Sequence, residues 1–217
     1  MSKPPQSDVV TCEKIFVEAE NPSKGVVAKV TVTRPDKLNA LNSEVSQALK
    51  EACRWATDDD DVRVIIFAGA PPNPPAEGER AKPNAFIAGA DINEFVGIDS
   101  DTIRQRFKSN VWEVIWHLDK PTIAMVDGFA LGGGCEVAMS CDIRIGSEQS
   151  KFGTPEINLG LIPGGGGTQR LPRLVGYGRA MEMILSGEMI DARSALQMGL
   201  LNHLYEVDEL EQKTLEL

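Results

Sequence analysis

Residues 122–146 read TIAMVDGFALGGGCEVAMSCDIRIG, and the order of elements in them predicts the fold class. Residues 122–126 are a short apolar run of the kind that forms a strand covered on both faces, and residues 142–146 predict another strand. Between them, three glycines lead into small and apolar residues through Met139, which predict a short helix. This order of strand, helix and strand predicts a wound α/β domain with ligand-binding loops near the strand ends.

The chain that precedes this stretch shows the same alternation of elements. Residues 62–69 (VRVIIFAG) predict another buried strand, and apolar residues recur at helical spacing over residues 43–56. Strands are also predicted at residues 15–19 and 26–33, and turn residues between them predict a hairpin. These turn residues are Asn21, Pro22, Ser23 and Gly25. We therefore expect a sheet that begins with a hairpin and continues as α/β.

Three further segments complete this organisation. Residues 102–116 have a helical pattern that is closed by Asp119, Lys120 and Pro121. Residues 71–83 read PPNPPAEGERAKP, and five prolines exclude a helix interior or a central strand, so a surface loop is predicted. Residues 1–13 are predicted to be a loose segment that precedes one domain over residues 14–217.

The composition limits the class of protein. With 217 residues and 42% hydrophobic residues, the chain can bury one core, so a single domain is expected. The net charge of −10 disfavours binding to nucleic acid. No stretch approaches the roughly 20 apolar residues of a membrane helix, and the four cysteines lack CxxC spacing. We therefore expect a soluble, cytoplasmic protein with reduced thiols.

The glycines at residues 132–134 are the first candidate for chemistry. Glycine lets the backbone approach a ligand closely, and the amides at a helix start are free to bind an anion. Three glycines could instead serve only close packing between helix and strand. The run is not GxGxxG and no GK[ST] follows it, so neither a dinucleotide site nor a P-loop is predicted.

Two carboxylates and a second glycine run are the other candidates. Glu136 follows the first glycines in an apolar setting that is costly for a charge unless it faces a cavity or a partner, and Glu156 lies twenty residues further on. Such a pair can divide acid and base work, although most carboxylates are solvated surface groups. The glycines at residues 164–167 can bring bare amides toward Glu156, or can form a flexible loop. His117 and His203 lack metal-ligand spacing, so no metal site is predicted.

Three motifs together resemble the enoyl-CoA hydratase (crotonase) family. They are AGADI at residues 88–92, DGFALGGGCEVAMSCDI at 127–143 and FGTPEINLGLIPGGGGTQRL at 152–171, supported by RPDKLNALN at 34–42 and GEMIDARSALQMGLLN at 187–202. The resemblance implies an α/β spiral of ββα units and a homo-oligomer, either a trimer or a dimer of trimers. Family members usually continue for several tens of residues beyond residue 217, so a short or missing carboxy-terminal helical region is expected.

The resemblance also implies the reaction, which is the hydration of a 2-enoyl-CoA by a lyase of fatty-acid metabolism. It places the thioester oxygen between the amides of Ala90 and Gly133, where negative charge develops. It assigns Glu136 to the attacking water, Glu156 to the C2 proton and the Gly164 amide to holding the water. The two glutamates favour a hydratase. A Δ3,Δ2-enoyl-CoA isomerase, a specific 3-hydroxyacyl-CoA dehydratase and a non-catalytic acyl-CoA-binding subunit remain the alternatives.

For the coenzyme A half of the substrate, the resemblance points to two segments that act mostly through backbone groups. The matching residues are Lys37, Asn39, Ala40, Leu41, Ala88, Asp91, Ile92 and Asn93. The charge of Lys37 suits a CoA phosphate, but a solvated loop lysine fits the sequence equally well. No metal or redox cofactor is expected, because CoA makes the α position acidic and the protein supplies charge placement.

Overall fold

The computed structural model describes residues 3–17, 25–76, 78, 80–99, 101–102, 104 and 110–217. The strands are β1 (Val10–Val17), β2 (Gly25–Val32), β3 (Val62–Gly69), β4 (Ala85–Ile87), β5 (Thr122–Val126), β6 (Phe129–Leu131), β7 (Ile143–Ser147), β8 (Lys151–Gly153), β9 (Ile190–Asp191) and β10 (His203–Tyr205). The α-helices are α1 (Ser43–Asp58), α2 (Val111–Trp116), α3 (Gly133–Ser140), α4 (Gly167–Val175), α5 (Tyr177–Ser186), α6 (Ala192–Met198) and α7 (Leu210–Glu216).

These strands form two sheets, which the chain visits in turn. One has the order β1-β2-β3-β5-β7-β10 and the other β4-β6-β8-β9. β1 and β2 are antiparallel, as are β8 and β9, and the other neighbours are parallel. Each of the pairs β3–β4, β5–β6 and β7–β8 gives one strand to each sheet and is followed by a helix. The result is the predicted α/β architecture of repeated ββα units.

Helix α3 lies at the centre of this arrangement. Except for Glu136 and Ser140, all of its residues are small or apolar. Every residue of the helix is buried, including Glu136. A helix that is apolar around its whole circumference is stable only when it is covered on all sides. The first turn of α3 is therefore held rigidly against β4 and β6, where the candidate site lies.

Several predicted boundaries differ from the structure. β1 begins at Val10 rather than at residue 15, because its pairing with β2 extends from Val10 opposite Val32 to Val17 opposite Gly25. Part of the segment expected to be loose is thus a sheet strand. The predicted turn at residues 21–23 lies outside the described residues.

The helix expected over residues 102–116 is not continuous. Asn110 has an extended backbone, and its side chain accepts a hydrogen bond from the Glu113 amide, so it begins α2 as a new helix. Residues 103 and 105–109 lie outside the described part of the chain. In the proline-rich segment 71–83, the described residues are in neither helix nor strand and are mostly exposed. None of the described helices is both long and apolar enough to span a bilayer.

The contact between α3 and β4 has no room for a side chain at Gly134. A methyl group on Gly134 would lie 1.9 Å from the carbonyl oxygen of Ile87. We expect Gly134→Ala to lower the free energy of unfolding by about 3 kcal/mol, since backbone must move to relieve the overlap. Gly178→Ala on α5 is the matched control, because no atom lies within 4 Å of its added methyl group. Chemical denaturation of both variants tests this, and equal stabilities would contradict it.

Candidate active site

Two backbone amides come together where α3 begins. Leu41 and Ala90 form a parallel bridge in which the Leu41 amide donates to Gly89 O (2.8 Å) and the Asp91 amide donates to Leu41 O (2.7 Å). This pairing leaves the N–H of Ala90 outside the bridge. Gly133 is the first residue of α3, where amides have no partner within the helix. A methyl group on Gly133 would lie only 3.8 Å from the Ala90 nitrogen, so the structure brings the two predicted amides together.

Glycine is required at Gly132 and Gly133, the two residues at which α3 begins. Gly132 has φ +50° and ψ −125°, which side chains rarely adopt. A methyl group on Gly133 would lie 3.1 Å from Trp112 Cζ2 and 3.5 Å from Leu41 Cδ1. The Trp112 Nε1 donates a hydrogen bond of 2.8 Å to the Gly133 carbonyl oxygen. The backbone at Gly133 is therefore held by Trp112 through its carbonyl group, and its N–H belongs to the first turn of the helix, where amides have no partner within the helix.

Glu136 lies one helical turn further on and is 2% exposed. Its Oε1 accepts two hydrogen bonds, from the amides of Gly165 (2.8 Å) and Gly167 (2.7 Å). Burial raises the pKa of Glu136 to about 7, and the negative charge of Glu156 adds to this rise. The two amides and the charge of Arg170 oppose the rise in the pKa, because they favour the ionised carboxylate.

Glu156 lies across the site on a 3-10 helix (Pro155–Leu159). Its Oε1 is 3.1 Å from the position that a methyl group on Gly132 would take, so the carboxylate lies beside the backbone before α3. Its Oε2 is buried and has no hydrogen-bond partner among the described residues. Burial raises the pKa of Glu156. The structure therefore brings together the two predicted glutamates, in different surroundings.

The second glycine run supports Glu136, although not through the residue that the sequence singles out. Gly164 is exposed, whereas Gly165 and Gly167 donate to Glu136. A methyl group on Gly165 would lie 2.5 Å from Trp112 Cδ2 and 2.7 Å from Glu136 Oε2. Sequence reasoning missed both donors, although they belong to the run that it identified.

The residues expected to bind CoA lie on two adjoining segments. Lys37 is exposed at the end of a 3-10 helix (Pro35–Lys37). Asn39 is 1% exposed, and its side chain donates to Ala70 O (2.9 Å) and Ala85 O (2.7 Å). The side chain of Asn39 is thus engaged in the fold, and Leu41 is buried beside Gly133.

Arg34, which sequence reasoning missed, connects residues 37–41 with residues 88–93. Its guanidinium donates to Ala40 O (2.7 Å) and to Asp91 Oδ2 (3.2 Å), and it holds the pKa of Asp91 below its usual value. The Ala88 amide adds a hydrogen bond of 3.1 Å to Leu38 O. The last two predicted residues, Ile92 and Asn93, are exposed.

A cleft of about 230 Å³ opens beside Ala90 and Trp112. It is lined by Leu41, Asn42, Ser43, Ser46, Lys50, Ala90, Glu94, Phe95, Asn110, Val111 and Trp112. His117 and His203 are exposed. Within the described ranges, no group of three or more His, Cys, Asp or Glu residues is arranged to hold a metal ion.

The chain is similar in sequence and fold to known proteins. The sequence model of the enoyl-CoA hydratase/isomerase family matches residues 22–217. The short-chain-enoyl-CoA hydratase of Clostridium acetobutylicum is 45% identical over 191 residues, which are 86% of this chain and 68% of that protein. The crotonyl-CoA hydratase of Syntrophomonas wolfei is 39% identical over 200 residues, covering 91% of this chain and 71% of that protein. The crystal structure of an enoyl-CoA hydratase from Bacillus anthracis superposes with a TM-score of 0.78 at 34% identity, covering 94% of this chain and 74% of the other.

Proposed function

Because this chain belongs to the enoyl-CoA hydratase/isomerase family, we propose that buried Glu136, half-buried Glu156 and two neighbouring amides carry out the reversible hydration of a 2-enoyl-CoA. The chain is an enoyl-CoA hydratase, a hydro-lyase. The observation that carries the assignment of residues is the approach of Glu136 and Glu156 to the helix start where the amides of Ala90 and Gly133 meet.

The amides stabilise the charge that the reaction creates. When water adds at C3, the electrons of the double bond move toward the thioester and its oxygen becomes enolate-like. The N–H groups of Ala90 and Gly133 donate to this oxygen. Because both are fixed in the fold before the substrate arrives, they need not reorganise as the charge develops, and each such donor is worth about 3 kcal/mol of barrier.

The surroundings of the two carboxylates support the roles that we propose for them in hydration. Two amides donate to Glu136 and favour its ionised form, so Glu136 takes a proton from water as the oxygen bonds to C3. Glu156 has a buried oxygen without a donor, which favours its protonated form, so Glu156 gives its proton to C2. After the step Glu136 carries a proton that came from water, Glu156 is ionised and its proton is on C2; dehydration reverses the step. The amide of exposed Gly164 is our candidate for holding the water.

The shared proton predicts a bell-shaped pH profile. The pair is active with one proton, so kcat/KM falls at low pH when both carboxylates are protonated and at high pH when both are ionised. Because Glu136 acts as the base and burial raises its pKa to about 7, we expect the acidic limb of the profile to lie near that pH. Rates with crotonyl-CoA across the pH range test this. A profile that stays flat through neutral pH would show that the pair does not titrate during catalysis.

The substrate itself provides the direct test of the function. Crotonyl-CoA should lose its conjugated thioester absorbance on addition of the protein, and 3-hydroxybutyryl-CoA should be the product. A 3-enoyl-CoA offered in parallel should not be isomerised at a comparable rate. Consumption of only the 3-enoyl isomer would indicate an isomerase, and thioester binding without turnover would indicate a non-catalytic subunit.

We propose further that the segments around Lys37 and Asp91 hold the CoA moiety, mainly through backbone groups, with Lys37 near a phosphate. The exposure of Lys37 and the junction made by Arg34 support this placement. CoA is part of the substrate, and we propose that no other cofactor takes part.

The assembly that we propose is a trimer or a dimer of trimers. Its support is an exposed apolar run beside Glu156, in which Leu159, Leu161 and Ile162 are 59%, 57% and 72% exposed. Neighbouring apolar side chains on a surface mark contact regions. We also propose a cytoplasmic location, because all four cysteines are free thiols buried in the core, which suits a reducing compartment.

A further inference from the structure

Arg170 is a buried cation that the reaction described above does not use. It lies in the first turn of α4 and is 7% exposed. Its Nη1 donates to the Gly165 carbonyl oxygen (2.6 Å), and its Nη2 donates to Glu113 Oε1 (2.9 Å). The guanidinium also lies 4.7 Å from the centre of the Trp116 ring. A buried charge is costly unless it is paired in this way, so the guanidinium is fixed in one place.

The carbonyl that Arg170 holds belongs to the loop that supports Glu136. Along the chain, the Gly165 carbonyl lies between the amides of Gly165 and Gly167, which both donate to Glu136 Oε1. The guanidinium also packs against the backbone at Gly166, where φ is +102° and a methyl group would lie 2.0 Å from Nη1. The orientation of both donor amides therefore depends on the position of this guanidinium.

We propose that Arg170 is a positioning residue for Glu136: it fixes the 165–167 backbone so that two amides hold one carboxylate oxygen, and its charge favours the ionised carboxylate. With Oε1 occupied by the amides, Oε2 is the oxygen left to receive a proton from water. This role rests on the proposed function of Glu136 as the base.

The charged and titratable groups around Glu136 determine whether the pKa of its carboxyl group rises or falls when one of them is replaced. Glu156 raises the pKa of Glu136, Arg170 lowers it, and the neighbouring Cys135 is a buried thiol whose pKa is itself raised to about 12. Glu113 pairs with Arg170 from the exposed side, where its side chain is 52% exposed. Loss of Arg170 therefore shifts the titration of the glutamate pair to higher pH, and loss of the Glu113 charge shifts it to lower pH.

Two substitutions at Arg170 separate its geometry from its charge. Arg170→Gln removes both, so we expect kcat to fall about 10²-fold and the pH profile to move upward by about one unit. Arg170→Lys keeps a charge but lacks the planar set of donors, so we expect a similar loss of kcat with a smaller upward move of the profile than in Arg170→Gln. KM for crotonyl-CoA should change little in both variants, because the amides of Ala90 and Gly133 remain.

Glu113→Gln and Arg173→Gln complete the experiment. Glu113 is at the surface, so its substitution should not prevent folding. We expect the pH profile of the Glu113→Gln variant to move to lower pH. Arg173 is exposed on the same helix and donates to Gln169, so Arg173→Gln should leave kcat and the profile unchanged. If the wild type hydrates crotonyl-CoA but Arg170→Gln and Glu113→Gln leave the profile in place, the inference is wrong. If the wild type does not hydrate crotonyl-CoA, the proposed function is wrong.

Discussion

Glu156→Gln is expected to lower kcat for the hydration of crotonyl-CoA by about 10³-fold, which is within the range of general acid catalysis. Glutamine has nearly the same shape but cannot deliver a proton to C2. KM should remain near its wild-type value, because the thioester is held elsewhere, by the amides of Ala90 and Gly133. Steady-state rates under saturating and limiting substrate separate the two constants.

The control for this substitution is Glu182→Gln, which removes an exposed carboxylate from α5. We expect the control to retain wild-type kcat. A Glu156→Gln variant with kcat within a few-fold of the control would mean that another group protonates C2, and the division of roles between the glutamates would then be wrong.

Glu136→Gln is expected to cause a comparable loss of hydration, about 10²-fold to 10³-fold, while binding of the thioester is kept. The glutamine oxygen can still accept hydrogen bonds from Gly165 and Gly167, so the loop should stay in place. What is lost is the negative charge that takes the proton from water.

Calorimetric titration with butyryl-CoA, which has no double bond to hydrate, tests the second half of this prediction. The dissociation constants of the Glu136→Gln variant and the wild type should agree closely, because neither oxyanion amide is altered. Loss of binding in this variant would show that Glu136 holds the substrate, rather than acting on the water.

The parts of the fold that could be predicted from sequence are those with a strong local pattern. β3 and β5 are continuous apolar runs, and both lie where the runs predict them. The three-residue strands β4, β6, β8 and β10 were missed, because so few residues cannot show an alternation. The break at Asn110 was also missed, because the helical spacing continues through it and only the cap geometry reveals it.

The candidate site could likewise be predicted only in part from the sequence. The apolar neighbours of Glu136 indicate that its charge needs a cavity or a partner, and the structure shows it buried with two amide donors. The partners of this carboxylate could not be predicted, because Gly165 and Gly167 are about thirty residues away along the chain and four glycines in a row look alike. Arg170 and Trp112 are single residues in ordinary helical patterns, and only the tertiary packing gives them a role.

A crystal structure of the protein with bound butyryl-CoA tests most directly whether the two amides and the two carboxylates form one catalytic site. We expect the thioester oxygen to lie about 2.7–3.1 Å from the nitrogens of both Ala90 and Gly133. We also expect the carboxylates of Glu136 and Glu156 to face the C2–C3 bond. A thioester oxygen bound away from these two amides, or a C2–C3 bond out of reach of both carboxylates, would contradict this account of the site.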